Sequence, residues 1–146
     1  MKLSAEDAFR QFGDRVFSAA FSATGSKEDA DDVVQDTFLK YWDTDQDFTD
    51  ENHIKAWLLR VAINRSRDLL RSFWHRKKVP WEDYMEELPF EEPEDKSLFE
   101  AVMELPRKYR VTIHLHYYED LSVSEIAEIL HTTEGTVKSQ LSRGRK

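Results

Sequence analysis

Apolar positions Phe9, Phe12, Val16, Ala20 and Phe21 recur at helical spacing and stop near Gly25. They predict a first helix with those five side chains in a core. From Lys27 to Trp42 a second stripe follows, Ala30, Val33, Val34, Thr37, Phe38 and Tyr41, with Asp29, Asp32, Gln35, Asp36 and Lys40 on the other side. That pattern is a strongly amphipathic helix. Residues 43–52 are acidic and poor in apolar side chains, which reads as a loop. His53 opens a third segment, HIKAWLLRVAINRSRDLLRSFWHRKK, where Ile54, Trp57, Leu58 and Val61 keep one face inward and Leu69, Leu70 and Phe73 continue it. The polar Asn64-Arg65-Ser66 step between them predicts a break or kink.

Residues 79–96 hold three prolines and many acids, the composition of an extended, partly disordered connection. A helix is expected from about Asp95 or Ser97, carrying Leu98, Val102 and Leu105, with Pro106 suited to the first turn of the next. The run Tyr109 to Tyr118 contains Val-Thr-Ile, yet a lone strand would have no partner, so it is assigned as helix. Ser122 and Glu125 then form a capping box ahead of Ile126, Ala127 and Leu130, and a polar break follows at His131-Thr132-Thr133. Thr133 caps a last helix in which Val137 and Leu141 face inward. At about 100° per residue, Gly135, Lys138, Ser139, Ser142, Arg143 and Lys146 point the other way. Two short helices joined by a tight turn, the second presenting small polar and basic side chains, form a helix-turn-helix. Small residues allow approach to a major groove, polar ones meet base edges and cations meet phosphates.

The fold class is therefore all-α: residues 1–78, an acidic linker at 79–96, and a helix-turn-helix domain at 97–146. The 146 residues include no cysteine, so no disulfide framework or thiolate metal site is available. No long apolar run and no charged-then-apolar leader occurs. A cytoplasmic protein with no membrane contact of its own is expected.

A net charge of −8 looks wrong for a nucleic-acid binder until it is divided along the chain. Residues 1–52 carry −8, 53–78 carry +7, 79–104 carry −9 and 105–146 carry +2. Charge in blocks implies separate partners for separate segments. In the basic block, Arg60, Arg65, Arg67 and Arg71 lie among Trp57, Phe73 and Trp74, the ingredients for stacking bases and pairing phosphates of an unpaired strand. A buried Trp57 and Phe73 beneath a merely solvated basic surface is the plainer alternative. The carboxylates Asp29, Asp32 and Asp36 lack a further ligand for a hard cation, and His114 and His116 fall on different helix faces, so no metal site or other cofactor is expected. No nucleophile with a neighbouring base appears, which argues against an enzyme.

Four blocks, DADDVVQDTFLKYW, AWLLRVAINRSRDLLR, LPRKYRVTIHLHYYEDLSVSEIAEIL and EGTVKSQLSRGRK, resemble in order those of the extracytoplasmic-function group of bacterial RNA polymerase sigma factors. The resemblance implies a promoter-recognition subunit of core RNA polymerase, with promoter DNA and an anti-sigma factor as further partners. It implies that Asp29, Asp32, Gln35, Asp36 and Phe38 contact polymerase. Arg60, Asn64, Arg65, Arg67 and Arg71 would hold the minus-ten strand, with an extruded base near Asn64. Thr133, Glu134, Thr136, Lys138, Ser139 and Arg143 would read the minus-thirty-five duplex, with Arg107, Lys108 and Arg110 near its backbone. The family's chains run on past the position of Lys146, so Arg145 and Lys146 are not counted as ordered contacts. A sigma-like mimic that occupies an anti-sigma factor would have lost the basic faces kept here. A stand-alone helix-turn-helix regulator would need an input domain that the motifs do not supply. The acidic stretches are expected to mask DNA-binding cations in the free protein.

Overall fold

A computed structural model describes residues 1–77 and 109–144. The elements are α1 (Ala5–Thr24), α2 (Lys27–Asp43), α3 (Glu51–Lys77), α4 (Arg110–Ile113, continued by a π-helical turn His114–Tyr118), α5 (Val123–Ile129) and α6 (Glu134–Gly144). The expected linker at 79–96, the helix from Ser97, and Arg107 and Lys108 lie outside the described residues.

Local chemistry sets the helix ends. Ser4 accepts from Asp7 N–H to begin α1, and Gly25, with φ of 70°, closes it by donating to the Phe21 carbonyl. Ser26 accepts from Asp29 N–H to begin α2, whose first turn holds Glu28 and Asp29 against the positive end of the helix dipole. The six-residue stripe of α2 is buried throughout.

The first core joins α1, α2 and α3 through Phe12, Val16, Phe21, Val33, Tyr41, Ile54 and Leu58, with Phe48 from the connecting loop. Tyr41, Phe48 and Trp57 form an aromatic triangle with ring centroids 5.8, 5.9 and 6.0 Å apart, spacing at which edge and offset contacts add to burial. Trp57 is thus turned toward the first core and is partly buried against it. Phe9 departs from expectation the other way: it is 54% exposed and rests edge-on against Phe38 at 5.2 Å. Among the described residues no third layer covers that side of α1.

No break occurs at Asn64-Arg65-Ser66, because α3 runs unbroken from Glu51 to Lys77. Ser66 is fully buried and its hydroxyl donates to the Ala62 carbonyl one turn back at 2.8 Å. The polar residue is absorbed by the helix it was expected to interrupt.

A second core crosses between the two halves of the chain. Ala19 and Ala23 of α1 and Leu59 and Ile63 of α3 pack with Tyr109, Val111, Ile113, Leu115, Leu121, Ile126, Ile129, Val137 and Leu141. Small residues on α1 let α4 approach closely, and the helix-turn-helix is seated on the N-terminal helices rather than standing apart.

Candidate nucleic-acid interface

The helix-turn-helix is built by caps. Ser122 and Glu125 make the reciprocal capping box of α5. Beyond Leu130 the chain turns through His131 at φ 55°, with His131 N–H donating to the Glu128 carbonyl and Thr132 N–H to that of Ala127. That bond pair is a Schellman closure, and its left-handed position usually holds glycine. Thr133 Oγ1 then accepts from Thr136 N–H at 3.1 Å to start α6.

With Val137 and Leu141 buried, Thr133, Glu134, Lys138, Ser142 and Arg143 are exposed, and Thr136 and Ser139 are half-buried. All six residues tied to duplex reading by the resemblance therefore reach solvent, Thr133 at the cap and five on α6. The helix is pinned from behind by Thr112, whose hydroxyl donates to Gln140 Oε1 at 2.6 Å inside the core. Nothing in the apolar pattern marks Gln140, which sits at an inward position and is buried. Arg110 is a correction: it is only 2% exposed and stands at the start of α4 in the second core, so it does not reach a phosphate.

On α3, Arg60, Asn64, Arg67 and Arg71 are spaced by four, three and four residues and so share one stripe. Arg65 stands roughly 140° away from Arg60 around the helix. It donates from Nε to Asp36 Oδ2 of α2 at 2.8 Å. Between α2 and α3 lies a groove of about 460 Å³ lined by Asp36, Lys40, Arg60, Asn64, Arg65 and Asp68, within the size range of small-ligand pockets.

Two cations of the stripe are engaged by the helix-turn-helix. Arg60 Nη2 meets Glu128 Oε1 of α5 at 2.7 Å, and Arg67 Nη1 donates to the Leu130 carbonyl at 2.6 Å. Arg71 lies 3.8 Å from Asp68 on its own helix. Below this seam, Lys55 Nζ donates to the Glu119 carbonyl at 2.8 Å. The buried Glu119 carboxylate faces His114 Nε2 at 3.2 Å and Arg15 at 3.9 Å. Charges withdrawn from water this far need such partners.

A third surface lies on α1 and α2. Asp32 and Gln35 are exposed and Asp29 and Asp36 half-buried, whereas Phe38 is only 8% exposed. Phe38 contributes packing at the floor of a groove of about 610 Å³, and the apolar groups at its rim are Phe9, Leu39 and Trp42. Leu39 is 58% and Trp42 70% exposed, and sequence reasoning missed both. Their signal was available: each is a large apolar residue on the otherwise polar side of α2. Apolar exposure gathered in one place marks a docking surface.

Comparison with known proteins identifies the family. Residues 8–76 match the model of sigma-70 region 2 and residues 95–146 that of sigma-70 region 4. The chain is 30% identical to the ECF RNA polymerase sigma factor SigE of Mycolicibacterium smegmatis, over 97% of its own length and 58% of that protein. It is 31% identical to the RNA polymerase sigma factor SigV of Bacillus subtilis, over 89% of this chain and 80% of the other. The solved structure of the sigma factor RpoE in complex with the anti-sigma factor NepR from Bartonella quintana is similar at a TM-score of 0.65 and 25% identity, covering 96% of this chain and 91% of that one. The two region matches in order and these whole-chain likenesses have one reading: the chain belongs to the extracytoplasmic-function group of RNA polymerase sigma factors.

Proposed function

We propose that the three surfaces divide promoter initiation among them. The rim of Phe9, Leu39 and Trp42, with Asp32 and Gln35, docks on core RNA polymerase. The stripe Arg60, Asn64, Arg67 and Arg71, joined by Arg65 across the α2–α3 groove, receives the minus-ten strand. The open face of α6, through Thr133, Glu134, Thr136, Lys138, Ser139 and Arg143, reads the minus-thirty-five duplex. An anti-sigma factor is a further partner, the cytoplasm the expected setting, and the chain acts as a non-catalytic subunit. The observation that carries this reading is the segregation of cations: a basic stripe on α3 and a separate basic, small-residue face on α6.

Magnitudes favour a subunit over a self-sufficient melting protein. Opening duplex costs about 1.4 kcal/mol per base step. Stacking on an aromatic returns roughly 1–3 kcal/mol per base and serves few bases, and among the described side chains of α3 the one such aromatic, Trp57, is partly buried against Tyr41 and Phe48. Polymerase must supply the remainder. Run-off transcription by core polymerase plus this chain on a randomised promoter pool tests the proposal. Enrichment of a bipartite promoter is expected, and a pool left unenriched would reject it.

A further inference from the structure

A recognition helix meets base edges chiefly through its first residues, and the first turn of α6 leaves one polar side chain uncommitted. Thr133 and Thr136 are turned to each other: Thr133 Oγ1 accepts from Thr136 N–H at 3.1 Å and lies 2.8 Å from Thr136 Oγ1. Glu134, next to the cap, is exposed, and among the described residues its carboxylate meets no cation and no donor. Lys138 follows one turn later on the same side of the helix and is exposed as well, yet no ion pair joins the two.

Gly135 beside them is not explained by the chain itself. Its backbone is not left-handed, and a Cβ built there would meet only Thr133 Oγ1, at 3.9 Å. Alanine would fit and would favour the helix. A bare Cα at an exposed, outward position instead lets the first turn come close to a partner.

An acid here is out of keeping with the rest of the face, where α6 presents Lys138, Arg143 and hydroxyls. A carboxylate carried in among phosphates is repelled unless a donor receives it. In the major groove the donors on base pairs are the amino groups at cytosine N4 and adenine N6. Adenine's lies between two acceptors, its own N7 and thymine O4, and both oppose a carboxylate. Cytosine's has an acceptor on one side, guanine O6, which is an atom that a lysine meets. We propose that Glu134 is a specificity-determining residue that selects a C·G pair in the minus-thirty-five element. Its carboxylate accepts from cytosine N4–H, Lys138 meets guanine O6 and N7, and Gly135 permits the approach. The other duty of a first-turn acid, easing the positive end of the helix dipole, concerns stability and implies no base preference.

The inference rests on reading α6 as the duplex-binding face, and its test separates the two. Core polymerase carrying the parent chain, Glu134→Gln, Glu134→Ala or Gly135→Ala selects from a promoter pool randomised across the minus-thirty-five element. The affinity of each holoenzyme is then measured on the selected promoter with all four base pairs placed in turn at each position, and thermal denaturation of each chain confirms folding.

The parent should favour C·G at one position by about fivefold or more over the other pairs. Glu134→Gln should move that preference to adenine, whose N6 and N7 an amide meets together, and Glu134→Ala should flatten it. Both should keep the parent's preferences elsewhere. Gly135→Ala should raise Tm and weaken binding to every version of the element alike, by about fivefold or more. Base preferences that are the same in the parent and both Glu134 variants would overturn the assignment while leaving α6 as the reader. Gly135→Ala that binds as the parent does would keep the first turn out of the groove and overturn it too. A parent with no preferred base at any position would instead remove α6 as a reading face.

Discussion

Arg65 of α3 donates to Asp36 of α2 at 2.8 Å, each side chain close to half exposed, so a residue proposed for strand binding is tied to one proposed for polymerase docking. A pair this wet is worth little in stability, on the order of 0.2–1 kcal/mol. Arg65→Ala and Asp36→Asn should each lower unfolding free energy by no more than about 1 kcal/mol in urea titrations. Their functional effects should diverge. Arg65→Ala should cut promoter opening, followed by permanganate reactivity of unpaired thymines, even at saturating core polymerase, while Asp36→Asn frees the guanidinium, weakens association with core polymerase and leaves opening intact once polymerase is saturating. Equal loss in both variants would mean that the pair acts as a unit and not as two contacts.

The polymerase-docking rim gives a second prediction. Trp42 and Leu39 protrude and bury little of the fold, so truncating them should change stability by no more than about 0.5 kcal/mol. Interface anchors of this kind carry a disproportionate share of binding energy. Trp42→Ala should therefore weaken association with core polymerase at least about tenfold, measured by fluorescence anisotropy of a labelled chain. Phe38→Ala should behave oppositely, losing stability by about 3–5 kcal/mol because its ring is packed against Phe9 inside the groove floor.

Local pattern and long-range pairing differ in how much of them a linear chain reveals. The α2 stripe and the Ser122–Glu125 capping box depend on residues at most a few turns apart, and both appear in the structure as the spacing implied. Phe9 and Phe12 are equally apolar and share a helix, yet Phe12 is buried in the first core while Phe9 meets Phe38 at one edge and stays more than half exposed. That difference is tertiary and leaves no trace in periodicity. In sequence the cations around Trp57 suit base stacking and its spacing suits burial; Tyr41 and Phe48, which arrive from other segments, pack against it and leave it half-buried. Of the two acidic stretches expected to mask cations, 43–51 and 82–95, the second lies outside the described residues. Among the described residues the carboxylate that engages Arg60 is Glu128, 68 positions away on the helix-turn-helix itself.

Thr112 and Gln140 give a prediction for the core behind α6. Their hydrogen bond is buried, so Thr112→Val, which removes the hydroxyl that donates to Gln140 Oε1, should cost about 1–3 kcal/mol. Replacing both, Thr112→Val with Gln140→Leu, removes the need for a partner and should recover most of that loss. Duplex affinity should follow the same order if the bond sets the position of α6. A double variant that is no more stable than the single would show that the hydroxyl and amide serve other partners.

The turn between α5 and α6 carries a built-in cost that one substitution should relieve. His131 sits at φ 55°, where a side chain bearing Cβ costs roughly 1–2 kcal/mol. Glycine there avoids the clash but adds freedom to the unfolded chain, an offset of roughly 0.5–1 kcal/mol. The Schellman bonds from His131 and Thr132 are made by backbone groups and survive the change. His131→Gly should therefore raise stability by about 0.5–1 kcal/mol, or about 2–6 °C in Tm by calorimetry. His131→Val should lower it, because a β-branched side chain tolerates this backbone worst. Since the imidazole is exposed and outside the proposed duplex face, the glycine variant should bind duplex as the parent does. A fall in Tm for His131→Gly would mean that the ring itself contributes a contact worth more than the strain it imposes.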